Sequence, residues 1–302
     1  MTIRLRRSLV PILTATLISA WPAAADETTP LPCPADAEKQ LVTQLVSVQG
    51  GQADTINTAY SFASAAREQC ADNSLVLGLA TEILVNIAST LSQSGSGQAA
   101  GVWKQALAAA SEQDAAPVHD DVSVSWENGT AITLTDADAR SSIDGMLETH
   151  IAKTLAAYSM ERQMEGAYIT DAPAACPYPS SDGARAVHEA KGLVGGIIEF
   201  ARGMSYYDGV LARLDQLQGV CTGQALPLIE ENARAHMELA TVIGQDWDEA
   251  EGSCIAGEGK ALIGKYRTLA GDTPDEGTAN VLAKLTAWEH QLDLYTQVSC
   301  KR

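Results

Sequence analysis

The sequence predicts a mainly α-helical protein, built of stacked antiparallel helical hairpins in a helical-repeat or bundle-like arrangement, with one small β-hairpin near residues 122–135. Three observations lead to this fold class. Apolar residues recur every three or four positions along most of the chain, which is the spacing of a helix face. Breaks rich in glycine, serine and proline separate these segments. Strand-type alternation around a turn signal is found in one short stretch.

Residues 1–25 have the pattern of a secretory signal peptide. A segment with three arginines precedes a short apolar run at 9–20, and three alanines at 23–25 offer a cleavage site between Ala25 and Asp26. The apolar run is too short to anchor the chain in a bilayer. The sequence therefore predicts a periplasmic or secreted protein without a transmembrane anchor.

Residues 26–117 are predicted to form N-terminal helical hairpins. Helical spacing extends from Asp36 to Cys70, and Asn73 is placed to cap the next helix. A Ser-Gly-Ser-Gly turn at 94–97 ends that helix, and an alanine-rich helix follows.

Residues 118–136 are predicted to be a β-hairpin insert. Apolar and polar residues alternate on both sides of an Asn-Gly turn, which is a strong hairpin signal. An isolated hairpin is marginally stable in water, so we expect Trp126, Ile132 and Leu134 to pack on helices.

A long helix at 137–170 is predicted to link the N-terminal part to C-terminal helical hairpins at 174–302. Within the C-terminal part, Gly192 and Gly196 lie on one helical face, where we expect two helices to approach closely. A Cys-Pro pair opens each part and a second cysteine follows at a similar distance. The C-terminal part is therefore a candidate diverged duplicate of the N-terminal part.

Six cysteines remain after residue 25, which in an oxidising compartment implies up to three disulfides. Six thiols allow 15 pairings. The spacing favours sequential pairing, because each successive pair brackets a segment that resembles a helical hairpin. The favoured disulfides are Cys33–Cys70, Cys176–Cys221 and Cys254–Cys300.

The 302-residue chain is acidic, with a formal net charge of −18. Loss of residues 1–25 would leave 17 basic against 38 acidic residues, a net charge of −21. Nucleic acids and anionic membranes are unsuitable partners, because both bind clustered lysine and arginine. Plain solubility is the simplest interpretation of this charge. If the surface has a partner, the charge favours another envelope protein, a basic peptide or a cation.

Residues 84–109 resemble one tetratricopeptide-type hairpin, although the turn is one residue short and the closing proline is missing. The residues at the matching spacing are Ile87, Ala88, Leu91, Gly95, Ala99, Trp103, Ala106 and Leu107. The resemblance covers one repeat and implies a stacked helical scaffold that binds other proteins.

The sequence predicts no catalytic residue and no cofactor. His188 and Glu189 supply half of the HExxH zinc motif, but Gly192 stands where the second histidine belongs. Met160 and Met164 have the spacing of a helical core rather than of a copper site. The glycine-rich segment 192–196 lacks the GxGxxG and Walker order, and no GxSxG pattern occurs.

Acidic residues provide the weak candidates for a metal site, which are Asp246, Asp248, Glu249 and Glu251. This cluster lacks the alternating ligands and the glycine of an EF-hand loop, so a solvated acidic turn is the simpler interpretation. Elsewhere, the acids of the Asp-Ala-Asp segment that starts at 136 are expected to cap the long helix, and Asp144 and Glu148 are expected to face solvent.

The leading hypothesis is a non-catalytic extracytoplasmic helical protein that acts as a protein-interaction or envelope-assembly module. The first contact candidates are Tyr206, Tyr207, Trp247 and Trp288. A carrier of a small ligand or cation, with a cleft between two helical halves, is the second hypothesis. An enzyme acting on envelope polymers is the third, and it requires a buried acid with a raised pKa.

Overall fold

The structure is a computed structural model that describes residues 32–48, 53–161, 173–201, 206–246, 248–296 and 299–300. The N-terminal helices are α1 (Ala37–Val48), α2 (Ala53–Gln69), α3 (Ser74–Gln93) and α4 (Ala99–Ala115). Two strands follow, β1 (Val122–Ser125) and β2 (Ala131–Leu134). A long helix then comprises α5 (Asp136–Met146), a π-helical turn (Leu147–Ile151) and α6 (Ala152–Met160). The C-terminal helices are α7 (Ala184–Phe200), α8 (Asp208–Val220), α9 (Ala225–Asp246), α10 (Glu249–Ala270) and α11 (Glu276–Asp293).

The fold class predicted from the sequence is confirmed: the protein is mainly helical, with a small two-stranded antiparallel sheet. The predicted signal peptide, residues 1–25, lies outside the described residues, as do Met164 and the contact candidate Trp247.

Helix α3 is the centre of the N-terminal core and packs against α1, α2, α4 and α5. It starts where predicted, because the Asn73 side chain accepts hydrogen bonds from the backbone N–H groups of Leu75 and Val76, both at 3.1 Å. It ends in a turn at Gly95, whose φ of 70° favours glycine. By length and composition α3 could cross a membrane, but most of it is buried inside this core.

The β-hairpin has one apolar and one polar face, because Val124 pairs with Ile132 while Ser123 pairs with Thr133. Its turn closes with the Gly129 N–H donating to the Trp126 carbonyl at 3.0 Å. Trp126 and Leu134 pack on the helices as expected. The expectation for Ile132 was wrong: it is 37% exposed, because it lies at the mouth of a cavity rather than against a helix.

The long helix differs from its prediction in two respects. Thr135 is its cap and accepts from the Asp138 N–H at 3.1 Å, whereas the two acids that follow lie in the first turn. The helix also contains the π-helical turn Leu147–Ile151 and ends at Met160. Residues 162–170 of the predicted helix lie outside the described residues.

The long helix contributes to both cores. Ile143, Leu147, Ile151 and Leu155 are buried in the N-terminal core. Ala152, Ala156 and Met160 are buried in the C-terminal core, which contains most of the buried residues of α7 to α11. The long helix is thus the element that the two halves share.

Helix α7 runs parallel to the long helix. Arg185 pairs with Asp144 and His188 with Glu148, so the residue numbers rise together along the two helices. The predicted close approach at Gly192 and Gly196 is confirmed. A Cβ atom at Gly192 would lie 2.7 Å from the Leu147 carbonyl oxygen.

The two halves have the same order of packing. Helix α9 packs against α7, α8, α10 and α11, as α3 packs against α1, α2, α4 and α5. The three disulfides have the pairing that the spacing favoured, and the first two bracket α1–α2 and α7–α8. Three disulfides fit an extracellular or periplasmic protein, because cytosolic thiols are kept reduced.

Candidate functional site

A first open cleft, of about 850 Å³, lies between α2 and α4. Arg67 Nε donates to Glu112 Oε2 at 2.8 Å, and the Gln105 amide donates to the Tyr60 hydroxyl at 2.8 Å, so both pairs join the two helices. The lining residues are Tyr60, Ser64, Arg67, Glu68, Ala71, Asp72, Gln105, Glu112, Ala115, Ala116 and Pro117.

A second cleft, of about 880 Å³, adjoins the first, since both are lined by residues 115–117. It lies between the end of α4, the segment that leads to β1, and the first turns of α5 and α7. Its charged lining residues are Asp114, Asp121, Asp136, Arg140, Asp144 and Arg185, with His119 beside them. We call the two clefts together the junction groove.

Arg185 holds the two halves together at this groove. It comes from the first turn of α7 and is only 2% exposed. Its guanidinium group donates to Asp144 Oδ1 at 2.7 Å, and to the Ala110 carbonyl and Gln113 Oε1 at 3.0 Å each. One side chain of the C-terminal half therefore bonds to both α4 and α5 of the N-terminal half.

Asp114 is a buried carboxylate in the wall of the groove, 1% exposed. Its Oδ2 atom accepts from the Ser180 N–H at 2.9 Å. Its Oδ1 atom lies 4.0 Å from Arg185 Nε and has no hydrogen-bond partner among the described residues. This oxygen is a buried acceptor whose hydrogen-bonding capacity that part of the chain leaves unused.

Asp136 is the other buried acid of the groove. Burial opposes its charge, but the hydrogen bond from Ser74 and the Arg140 guanidinium outweigh that effect, so the pKa of the Asp136 carboxyl lies below its usual value. Arg140 Nε donates to Asp136 Oδ2 at 2.6 Å, and Arg140 Nη2 donates to the Ala116 carbonyl at 3.1 Å. These bonds fix the end of α4 against the start of α5.

The charge of the junction groove is negative. Each of its arginines is paired with a carboxylate of the same lining, so the exposed carboxylates of Glu68, Asp72 and Asp121 remain as excess charge. Among the residues that line the two clefts there is no lysine. The exposed apolar side chain of Val118 lies at the second cleft.

The predicted metal candidates lie elsewhere, at the turn between α9 and α10. Asp248 caps α10, since its Oδ1 accepts from the Ala250 and Glu251 N–H groups at 2.8 and 3.0 Å. Glu251 accepts a hydrogen bond from the Tyr207 hydroxyl. Within the described ranges, no group of three or more His, Cys, Asp or Glu side chains is arranged to hold a metal ion. Asp246 and Glu249 of the same turn belong to no such group.

Some residues singled out from the sequence have structural roles. Tyr207, expected as an exposed contact residue, is 5% exposed. Trp288 is half-buried, and Lys284 Nζ lies 4.8 Å from the centre of its ring. Asp144 and Glu148 were expected to face solvent, but both bond to α7, because the parallel packing brings Arg185 and His188 opposite them.

Glu189 and Glu231 are buried acids that lie outside the groove lining. Glu189 is fully buried and accepts hydrogen bonds from the Tyr178 hydroxyl at 2.6 Å and from Arg213 Nε at 2.8 Å. Burial, assisted by the neighbouring Glu230 charge, raises the pKa of the Glu231 carboxyl. Glu231 thus has the property that an enzymatic acid needs, but it lines neither cleft of the junction groove.

No family model, curated protein or solved structure matches this chain. The proposed function therefore depends on the groove itself. Sequence reasoning did not bring its residues together, because Glu68, Asp114 and Arg185 are far apart in the chain and belong to no motif. The one available signal was Arg185, a charged residue on the apolar stripe of a predicted helix.

Proposed function

We propose that this chain is a non-catalytic periplasmic or secreted scaffold that binds a basic segment of another envelope protein in the junction groove. The observation that carries the proposal is the groove: two adjoining open clefts with an excess of carboxylates in their lining. Opposite charge steers a basic partner toward such a surface and fixes its register. The signal-peptide pattern of residues 1–25 and the disulfides support an extracytoplasmic location.

The resemblance of residues 84–109 to a tetratricopeptide-type hairpin supports the same class of function. The small and aromatic residues that carry the resemblance are buried where the two helices meet: Ala88, Ala99 and Ala106 are fully buried, and Trp103 is 2% exposed. Small residues allow two helices to approach closely, which is how stacked helical scaffolds are built. The surfaces of such stacks commonly bind extended segments of other proteins.

The test uses a fluorescein-labelled nonapeptide of four lysines among serine and alanine, with a glutamate version as its negative counterpart. The groove variant carries Glu68→Lys, Asp72→Lys and Asp121→Lys. An exposed ion pair contributes about 0.2–1 kcal/mol. Reversing three such charges should therefore change the binding free energy by more than about 1.4 kcal/mol, which is a tenfold change in Kd.

A matched control carries Asp54→Lys, Asp246→Lys and Asp272→Lys. These residues are exposed, lie outside both clefts and give the same net charge. We expect the control to bind within about twofold of the parent chain and binding to weaken with salt. Equal weakening by the control would contradict a defined groove and leave only a general effect of net charge.

A carrier of a small ligand is the second candidate function, and the second cleft favours it. Its volume of about 880 Å³ lies within the range of small-molecule sites, about 300–1,000 Å³. Native mass spectrometry of the protein purified from its own compartment distinguishes the two. A retained small molecule that Asp114→Asn releases would establish the carrier, whereas a bare chain that captures the lysine peptide supports the scaffold.

A further inference from the structure

A third cavity adjoins the β-hairpin, on the other side of α5 from the junction groove. It has a volume of about 280 Å³. Small-molecule sites are commonly larger, about 300–1,000 Å³, so this cavity suits one or two apolar side chains rather than a whole ligand. Its apolar lining consists of Val42, Leu45, Leu75, Leu79, Ile132, Leu134 and Ala139.

Strand β2 borders this cavity along its edge. Three consecutive residues of β2, 132–134, line it, together with the following Thr135. Successive side chains of a strand point to opposite faces, so a cavity lined by consecutive residues meets the edge of the strand and not one face alone. Ile132 and Thr133 are both exposed there.

The edge of β2 offers unpaired backbone groups. The Trp126 N–H donates to the Thr130 carbonyl at 2.9 Å, and this bond sets the alternation of the antiparallel ladder. By that alternation the backbone groups of Val124 and Ile132 face each other, whereas those of Thr133 point away from β1. The described sheet has two strands, so this edge is open. An open edge is a template for another extended chain.

The charge of the cavity rim selects among possible occupants. Glu82 Oε1 accepts from the Ser142 hydroxyl at 2.8 Å, and Asp138 Oδ2 accepts from the Thr135 hydroxyl at 2.7 Å. Both donors are uncharged hydroxyl groups, so neither hydrogen bond pairs a carboxylate with a cation. The cavity lining contains no lysine or arginine. An occupant with basic residues beside an apolar one complements this rim.

We propose that β2 and this cavity form a strand-addition site. An extended segment of a partner protein pairs with the open edge at Thr133, places one apolar side chain in the cavity, and directs flanking lysine or arginine residues to Glu82 and Asp138. Main-chain hydrogen bonds supply affinity in this mode of recognition, and the side-chain pocket supplies specificity. The site shares only Thr135 with the lining of the junction groove and does not depend on the function proposed for that groove.

The test measures fluorescence anisotropy with four labelled nonapeptides of alternating threonine and valine. Their central residue is leucine or aspartate, and their ends carry lysine or glutamate. The protein is the groove variant with lysine at 68, 72 and 121, so that binding to the junction groove does not contribute. We expect binding of the peptide with central leucine and lysine ends, and at least about tenfold weaker binding of the other three.

Two variants address the site, and each has a matched control. Ile132→Asp places a carboxylate at the cavity mouth, whereas Val46→Asp makes the same change at an exposed residue outside the lining. Thr133→Pro removes an outward N–H from β2, whereas Ser123→Pro makes the same change at the paired position on the β1 edge. The site variants should weaken binding at least about tenfold and the controls less than about twofold, with unchanged circular dichroism.

Hydrogen exchange supplies a second measurement, in which the bound peptide should protect the Thr133 amide. The absence of binding by the leucine–lysine peptide would overturn the proposal. So would equal weakening by site and control variants, or unchanged binding of a peptide that is N-methylated at alternate residues. Concentration-dependent dimerisation that Thr133→Pro abolishes would assign the edge to a second copy of this chain instead.

Discussion

Three glycines in one turn of α7 allow a direct test of the packing between the two halves. A Cβ atom at Gly192 would lie 2.7 Å from the Leu147 carbonyl oxygen and 2.8 Å from the Ala152 Cβ atom. At Gly196 it would lie 2.6 Å from the Ala156 Cβ atom. At Gly195 the nearest atom is a lysine side-chain carbon 4.0 Å away. An alanine side chain should therefore force neighbouring atoms to move at Gly192 and Gly196, whereas it should fit at Gly195 without such movement.

The expected magnitudes follow from two opposing effects. Alanine in a helix interior is favoured over glycine by about 1 kcal/mol. An added methyl group in a tightly packed site costs about 1–3 kcal/mol, and the upper part of that range applies where backbone atoms must move. Gly192→Ala and Gly196→Ala should thus each lower the free energy of unfolding by about 1–2 kcal/mol. Gly195→Ala should raise it by about 0.5–1 kcal/mol.

The measurement is urea-induced unfolding of the oxidised protein, followed by circular dichroism, with the slope of the transition compared among the variants. In a thermal scan, a change of 1 kcal/mol corresponds to a Tm shift of about 2–4 °C for a chain near this size. The reasoning is refuted if Gly192→Ala and Gly196→Ala are as stable as Gly195→Ala. That result would mean that α6 and α7 are not in close contact.

Three further predictions concern stability. Replacing both Cys254 and Cys300 by serine opens a loop of 46 residues. It should lower the free energy of unfolding in urea by about 4 kcal/mol, because the unfolded chain regains the entropy that loop closure removes. A loss below about 1 kcal/mol would contradict this effect of loop closure. Because the pKa of Glu231 is raised in the folded state, the free energy of unfolding should fall as pH rises from 4.5 through the folded-state pKa. Glu231→Gln should remove this fall in melting curves measured over a pH series. An unchanged series would be evidence against burial of Glu231 as the cause of the fall. Asp136 contributes stability that is present above pH 3.8 and is lost as pH falls through its lower folded-state pKa. Asp136→Asn should lower the free energy of unfolding by about 1–3 kcal/mol at pH 7. In acid, the difference in stability between this variant and the parent chain should shrink.

The fold was largely predictable because its determinants are local. The Asn73 cap, the turn at Gly95 and the Asn-Gly hairpin turn each depend on residues within a few positions of one another. The close approach at Gly192 and Gly196 was also predictable, since two glycines four apart on a helix present one small face. In each of these cases, the residues that determine the local structure lie within a few positions of one another in the sequence.

The junction groove was not predictable because its determinants are distant. The parallel packing of α7 on the long helix brings Arg185 opposite Asp144, and no local pattern specifies that direction. The acidic turn at 246–251 had the higher charge density in the sequence, but Asp248 caps a helix there. The density of acids in the sequence therefore indicated a helix-capping turn as the candidate site. The excess charge of the junction groove depends instead on which helices pack against one another.

The groove and the packing of the two halves are physically linked. Arg185 comes from the C-terminal half and bonds to α4 and α5 of the N-terminal half, and both Arg185 and Asp114 line the second cleft. A partner bound there contacts both halves at once, so it must stabilise their junction by mass action. Conversely, Gly192→Ala should displace α7 from the π-helical turn, and with it Arg185, which lies about two turns before Gly192 on the same helix. The variant should therefore lose affinity for a basic segment without altering any charge in the groove.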